Sequence, residues 1–241
     1  MTALARLSAR LEHRLTLPTD SLADLDQALA LAIEHDLSGL VVSPWLVKPA
    51  RRLLGRSPVR LGTIIGGDHG GQIGAVKAYE ASRALEHGAV NLDCVLNAGA
   101  LISGDDEAVL HDLRSVVEMA HAALATAGVV IEASLLPEEL VRRACRLAER
   151  AGADHVVGSS GNALPSEAIA HVRLLRHSVG PRLGVKSAAQ FGEVDELLAV
   201  VASGATWIST VFSDQLARAA CATLPAEPGA GDGPSRQVAV G

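Results

Sequence analysis

Three side chains in this sequence have the type and the placement to move protons: Lys186, Asp93 and Glu132. Of 21 basic residues only Lys48, Lys77 and Lys186 are lysines, so arginine is used wherever a positive charge alone is enough. An amine can give up its proton and a guanidinium cannot. The lysine that ends the apolar run Arg182-Leu183-Gly184-Val185-Lys186 is therefore a candidate for acid–base or nucleophilic work. Asp93 interrupts Asn91-Leu92-Asp93-Cys94-Val95-Leu96, and because side chains alternate along a strand it faces away from Leu92 and Cys94. A carboxylate in that run belongs on an inward, wetter face, which leaves Cys94 to pack. Glu132 follows Val130-Ile131 in a similar apolar run. The plainer reading of Lys186, a stem lying along a buried strand with its ammonium in water, competes with the functional one.

These residues need a frame that brings distant parts of the chain to one place, and the alternation of strand and helix signals supplies it. Apolar strand runs are expected at Leu11 to Leu15, Gly39 to Ser43, Arg60 to Ile65, Asn91 to Leu96, Val129 to Ala133, His155 to Val157, Arg182 to Lys186 and Thr206 to Thr210. Helical patterns separate them, among them one capped by Ser21 with Leu22, Leu25, Leu29 and Ile33 on a face. Eight βα units predict a single-domain α/β fold, the (β/α)8 TIM barrel, over residues 1–224. Glu86-His87-Gly88-Ala89, Arg150-Ala151-Gly152-Ala153 and Ala202-Ser203-Gly204-Ala205 repeat one helix-to-strand turn, with glycine where a left-handed conformation stops a helix. The Pro-, Gly- and Ala-rich tail from Pro225 to Gly241 is expected to be disordered. In the barrel frame a residue at the C-terminal end of a strand stands at the mouth where chemistry is done, and Lys186 is expected there.

Composition narrows the partner. With 49% apolar residues in 241 the chain can bury a large core. A net charge of −6 with the two signs interspersed gives no footprint for nucleic acid and no basic patch for a membrane. No apolar run reaches the ~18 residues that span a bilayer. Cys94, Cys145 and Cys221 are far apart and lack metal-ligand or disulfide spacing, which suits a reducing cytoplasm. A small molecule is the expected partner, with room left for a homodimer.

The chain resembles the deoxyribose-phosphate aldolase family from about Leu11 to Phe212. The run Gly88 to Asp105 carries the resemblance most specifically, and Lys77 with Glu80, Ile131-Glu132 with Leu135-Leu136, Gly152-Ala153-Asp154 and Gly184-Val185-Lys186 match in order and spacing. The resemblance implies a barrel aldolase in which a strand-six lysine forms a Schiff base with the carbonyl substrate, while a strand-seven lysine and a strand-four aspartate assist proton transfer. By match, the aspartate is Asp93 and the strand-seven lysine is Lys186. The Schiff-base position, however, falls on Val157 in Asp154-His155-Val156-Val157-Gly158-Ser159-Ser160-Gly161, and valine has no nucleophile. The family's phosphate grip after strands seven and eight is also altered, reading Ser187-Ala188-Ala189-Gln190-Phe191-Gly192 and Thr210-Val211-Phe212-Ser213.

The remaining candidates concern binding. The chain has two Trp, one Tyr and two Phe, and Trp45, Phe191 and Phe212 fall just after strands two, seven and eight, as would a ring around the mouth that takes a flat or apolar ligand. They could equally cap the core beneath the loops. Ser159, Ser160 and Thr210 at strand ends, and His69 in Gly66-Gly67-Asp68-His69-Gly70-Gly71, complete the expected substrate contacts. Glu12, His13, Asp68, His69 and Asp93 have no diagnostic metal spacing, so neither a metal nor a cofactor is expected. The leading expectation is acid–base, enolate-type chemistry on a non-phosphorylated carbonyl compound by Lys186 and Asp93, with Glu132. Its alternatives are a class I aldolase with Lys186 as the Schiff-base residue, and a barrel that binds a ligand without catalysis.

Overall fold

A computed structural model describes residues 7–222 apart from 68, 160, 162 and 213, with only the backbone at 221–222. The expected tail and Ser160 thus lie outside the described residues. Eight strands, β1 (Leu11–Leu15), β2 (Gly39–Val42), β3 (Arg60–Ile65), β4 (Asn91–Val95), β5 (Thr126–Val130), β6 (His155–Val157), β7 (Gly184–Ala188) and β8 (Trp207–Thr210), pair in parallel in chain order. β8 returns to β1, with His13 opposite Thr210, and closes the barrel.

Around it run α1 (Leu22–Glu34), α2 (Val47–Leu54), α3 (Gly74–Glu86), α4 (Ala98–Ile102), α5 (Asp106–Ala122), α6 (Glu138–Ala151), α7 (Pro165–Ser178), α8 (Val194–Ala202) and α9 (Asp214–Ala222). α1 begins where the sequence says it should: Asp24 N–H donates to the Ser21 hydroxyl at 3.3 Å, and Ser21 N–H donates to the Asp24 carboxylate at 2.8 Å. The three Gly-Ala turns behave alike, with φ of 100°, 87° and 108° at Gly88, Gly152 and Gly204.

Two strands differ from the sequence reading. α5 ends at Ala122, Leu124 turns the chain in a left-handed conformation, and β5 starts at Thr126 and ends at Val130. Glu132 consequently lies beyond the strand rather than on it. β7 runs on through Ser187 to Ala188, because these small residues fit the ladder, so Lys186 sits at mid-strand. The helix α4, capped by Asn97 through the Ala100 amide, was not foreseen.

The strands alternate as a barrel requires. Leu92, Cys94, Val129, Val156 and Val185 pack outward into the apolar layer beneath the helices, and burial pushes the Cys94 thiol up to about 12. Burying each such Leu or Val stabilises the fold by about 1.5–3 kcal/mol. Lys77 on α3 is also fully buried, donating to the Val95 carbonyl at 2.8 Å and pairing with Asp112 on α5, so it ties two helices to the end of β4.

Inside the barrel two tiers differ in chemistry. Toward the C-terminal ends of the strands, Ile64, Val95, Val130, Val157 and Ala188 form an apolar plug. Toward the N-terminal ends, large polar residues alternate with glycines in the register: Glu12 opposite Gly39, Asn91 opposite Gly62, and His155 between Gly128 and Gly184. The glycines are needed for space. A Cβ at Gly128 would meet His155 Nε2 at 2.1 Å, and one at Gly184 would meet the Trp207 ring at 2.4 Å.

Gly128→Ala should therefore destabilise the protein by about 1–3 kcal/mol, the usual cost of overpacking. Gly71→Ala, where a Cβ meets nothing within 4 Å, should stay within about 0.5 kcal/mol. Urea titration of both variants tests the alternation, and equal effects would refute it. A second prediction concerns His13, which is buried outside the barrel and accepts the Phe212 N–H at 3.2 Å, with burial lowering its pKa to about 4. The unfolded chain takes a proton there below about 6.5 and the folded one only near 4, so stability should rise with pH across that window. The rise is roughly 3 kcal/mol at 1.36 kcal/mol per unit, and His13→Gln should flatten it in denaturation curves taken from pH 4 to 7.

Candidate active site

The inward face of β7 presents Lys186 and that of β4 presents Asp93, and the barrel brings them together. Lys186 Nζ donates to Asp93 Oδ2 at 2.9 Å and lies 2.9 Å from Glu12 Oε2 on β1. Asp93 Oδ1 accepts from Asn91 Nδ2 at 3.1 Å and lies 2.8 Å from His155 Nε2. Asn91 is held in turn by Thr126, whose hydroxyl donates to it at 2.8 Å and accepts from Arg60 at 2.9 Å. Lys186 is 1% exposed and Asp93 and His155 are each 3% exposed, so this is a desolvated charge cluster on the barrel axis.

Burial alone would favour the neutral forms, yet the pairing wins in both. For Asp93 the desolvation penalty is outweighed by the charge of Lys186 and the bond to His155, which hold its carboxyl well below the usual range. For Lys186 the same penalty is outweighed by Asp93 and Glu12, which raise its pKa. Both carboxylates thus favour the protonated amine. Val157 lies directly beside Lys186 in the β6–β7 register and contributes no second amine.

Other expected residues lie elsewhere. Phe191 and Phe212 are each 4% exposed and belong to the apolar layer beneath the helices, whereas Trp45 is 57% exposed in a short helical turn. The expected aromatic ring around the mouth is not formed, because two of its members cap the core. His69 is exposed in its loop. Ser159 and Thr210 are buried and accept the backbone N–H groups of Gly161 and Phe191, each at 3.1 Å. Glu132, in a left-handed conformation at φ 51°, is not among the carboxylates paired with Lys186.

Glu12 and His155 are the members of the cluster whose role the sequence reading missed. Glu12 was visible as a charge in Leu11-Glu12-His13-Arg14-Leu15, inward-facing by alternation. His155 had no such signal, since a histidine opening a strand looks like any other.

The loops after β7 and β8 are turned inward on themselves. Phe191 N–H is bonded to Thr210, Phe212 N–H to His13, and the N–H groups of Gly192 and Glu193 to the Glu196 carboxylate at 2.9 and 3.2 Å. The N-terminus of α8, which could hold an anion through its free amides and dipole, is thus occupied by the chain's own carboxylate. Among the described residues one grouping has metal-ligand spacing, Glu34, His35 and Asp214, on the outer surface, and Arg218 pairs with both of its carboxylates.

The family model for DeoC/LacD family aldolases matches residues 6–220. The chain is 37% identical over 205 residues to a deoxyribose-phosphate aldolase of Streptococcus pneumoniae, covering 85% of this chain and 92% of that protein. It is also 37% identical over 202 residues to one of Thermococcus gammatolerans, covering 83% and 90%. Among solved structures, the tetrameric deoxyribose phosphate aldolase from Aeropyrum pernix superposes with a TM-score of 0.80 at 24% identity, over 90% of this chain and 92% of that one. Orotidine 5'-phosphate decarboxylase from Pyrococcus horikoshii does so at 0.61 and 14% identity, over 88% and 97%. At those identities the two structures speak for the fold alone.

Asp93→Asn would leave Lys186 paired with Glu12 alone, and it should lower stability at neutral pH by about 3–5 kcal/mol, the cost of removing one member of a buried pair. Because the folded carboxyl titrates below its unfolded value of about 3.9, its contribution is complete above that pH and is lost as pH falls below it. The gap between variant and parent should accordingly shrink between pH 7 and pH 3. A gap of constant size in denaturant titrations would contradict the assigned charge states.

Proposed function

The chain belongs to the DeoC/LacD family of aldolases, and we propose that it carries out enolate-type acid–base chemistry on a small, non-phosphorylated carbonyl compound without a Schiff base on β6. The observation that carries this reading is Lys186 Nζ held 2.9 Å from the Asp93 carboxylate, and it is supported by the resemblance, which puts the family's Schiff-base position on Val157, opposite Lys186 in the register. An ammonium fixed in a desolvated interior stabilises the negative charge that develops on a carbonyl oxygen. Asp93 takes up the proton leaving the adjacent carbon and returns it, work that a positioned base accelerates by about 10²–10⁴. Aldol bond making or breaking, isomerisation and ring closure all pass through that enolate.

Support for a substrate without phosphate comes from the loops. Amides that could face a phosphate dianion after β7 and β8 are engaged by Thr210, His13 and Glu196. A deoxyribose-phosphate aldolase activity like that named for the relatives is accordingly expected to be absent or weak.

Exchange of α-protons into deuterated water, followed by NMR on acetaldehyde, pyruvate and acetoacetate, tests the proposal. The wild type should exchange at least one of them, and Lys186→Met should lose on the order of 10²–10⁴ in rate. Borohydride with acetaldehyde should leave Lys186 unmodified, whereas Val157→Lys should gain a trapped adduct at position 157, seen by peptide mass spectrometry. A wild-type adduct on Lys186 would replace this mechanism with a class I one, and an exchange rate untouched by Lys186→Met would end it.

A further inference from the structure

The buried cluster is reached from an unexpected side. A small cleft, with room for water of about 40 Å³, opens among Glu12, Asn91, Thr126, His155, Lys186 and Trp207. Glu12, Asn91, Thr126, His155 and Trp207 all stand at the first or second position of their strands, so the cleft lies at the N-terminal end of the barrel. That face is ordinarily the stability face of the fold, with chemistry at the opposite end. Here it is polar, and on the other side of Lys186 Ile64, Val95, Val130, Val157 and Ala188 cluster in the interior, with the buried Arg14 beyond Glu12 on β1 reaching Gly161.

Lys186 and Asp93 are only 1% and 3% exposed, so protons pass between this pair and solvent chiefly through the groups that touch it, and the two carboxylates and the imidazole supply a route. Glu12 touches Lys186 and lines the cleft, and its side chain is 13% exposed. His155 touches Asp93 and lines the same cleft. The other neighbours of Asp93 are Lys186 itself and the amide of Asn91, which donates a hydrogen bond without passing a proton on. An imidazole has two ring nitrogens and can take a proton on one while releasing it from the other.

We propose that the N-terminal cleft is a proton port, in which Glu12 and His155 pass protons between cleft water and the buried Lys186–Asp93 pair. In the His155 branch a proton from water binds Nδ1, the Nε2 proton moves to Asp93 Oδ1, and a tautomer exchange resets the ring. Only N–H and O–H bonds form and break, and the charge that enters on one side leaves on the other. Its use in turnover rests on the acid–base reading above, but the port itself is a property of the free protein.

The test is proton exchange with water at the Lys186 ammonium, read by 15N-edited NMR on ligand-free protein at low temperature. The Glu12→Gln/His155→Gln double variant keeps side chains able to hydrogen-bond to Lys186 and Asp93 but cannot relay, and it should slow exchange at least tenfold. Mere loosening of the site would do the reverse, so unchanged or faster exchange overturns the proposal. A measurement on the unaltered protein stands beside it, should the double variant not fold: the His155 ring N–H must exchange faster than the Lys186 ammonium protons, and the opposite order is fatal to the relay. No substrate enters either measurement, so failure here leaves the proposed chemistry standing, and failure of that chemistry leaves the port.

Discussion

One ammonium between two carboxylates on the axis of a barrel is the interaction around which the rest of the molecule is arranged. Moving such charges out of water costs several kcal/mol each even after relaxation. The expense is offset only if each charge finds opposite charge or a well-placed donor within bonding distance. Here Lys186 has Asp93 and Glu12, and Asp93 has Asn91 and His155 besides. The three come from β1, β4 and β7, so the ion cluster forms only when the ring of strands has closed. It adds little net stability over an apolar core, but it penalises any register in which one of its members is left alone.

The glycines follow from that arrangement. A polar tier with a carboxylate, an amide, an imidazole and an indole at one level of an eight-stranded barrel is too bulky unless the strands between carry no side chain. Gly39, Gly62, Gly128 and Gly184 provide that room, and the clash distances at Gly128 and Gly184 show how little is spare. One level further along, valines and an alanine fill the axis instead. The change from polar to apolar within two residues of β4, from Asp93 to Val95, and of β7, from Lys186 to Ala188, sets apolar side chains against one side of the charge cluster, while β1 keeps a buried charge at the same step, from Glu12 to Arg14.

Much of this was legible in the sequence. The alternation of elements and the three Gly-Ala turns led to the barrel because they depend on local rules, and period-two alternation was enough to aim Asp93 inward and Cys94 outward. Height along the strand was not legible. Lys186 was expected at the mouth since the apolar run ends there, yet Ser187 and Ala188 continue the strand, as small residues do without announcing it. Glu132 was lost to the same uncertainty, its strand ending earlier than its apolar run. The aromatic ring failed for a different reason: scarcity and position after a strand say nothing about which way a side chain turns, and Phe191 and Phe212 turn toward the helices. His155 matters because of Asp93, 62 residues away, and no pattern within a strand reports a partner at that distance.

The valine opposite Lys186 in the register shapes the electrostatics of the cluster. Two amines side by side repel each other's protons and leave one of them neutral enough to attack a carbonyl. With Val157 in place of one amine that repulsion is absent, and two carboxylates pull the remaining amine toward its charged form. Glu12, Asp93 and Lys186 then sum to a formal charge of minus one, which Asn91 and His155 face with hydrogen-bond donors. Every charge of the cluster is thus held by partners that the barrel itself supplies. The amides after β7 and β8 are satisfied within the chain in the same way, by Thr210, His13 and Glu196, so the loops and the charge cluster alike are held by partners that the fold brings to them.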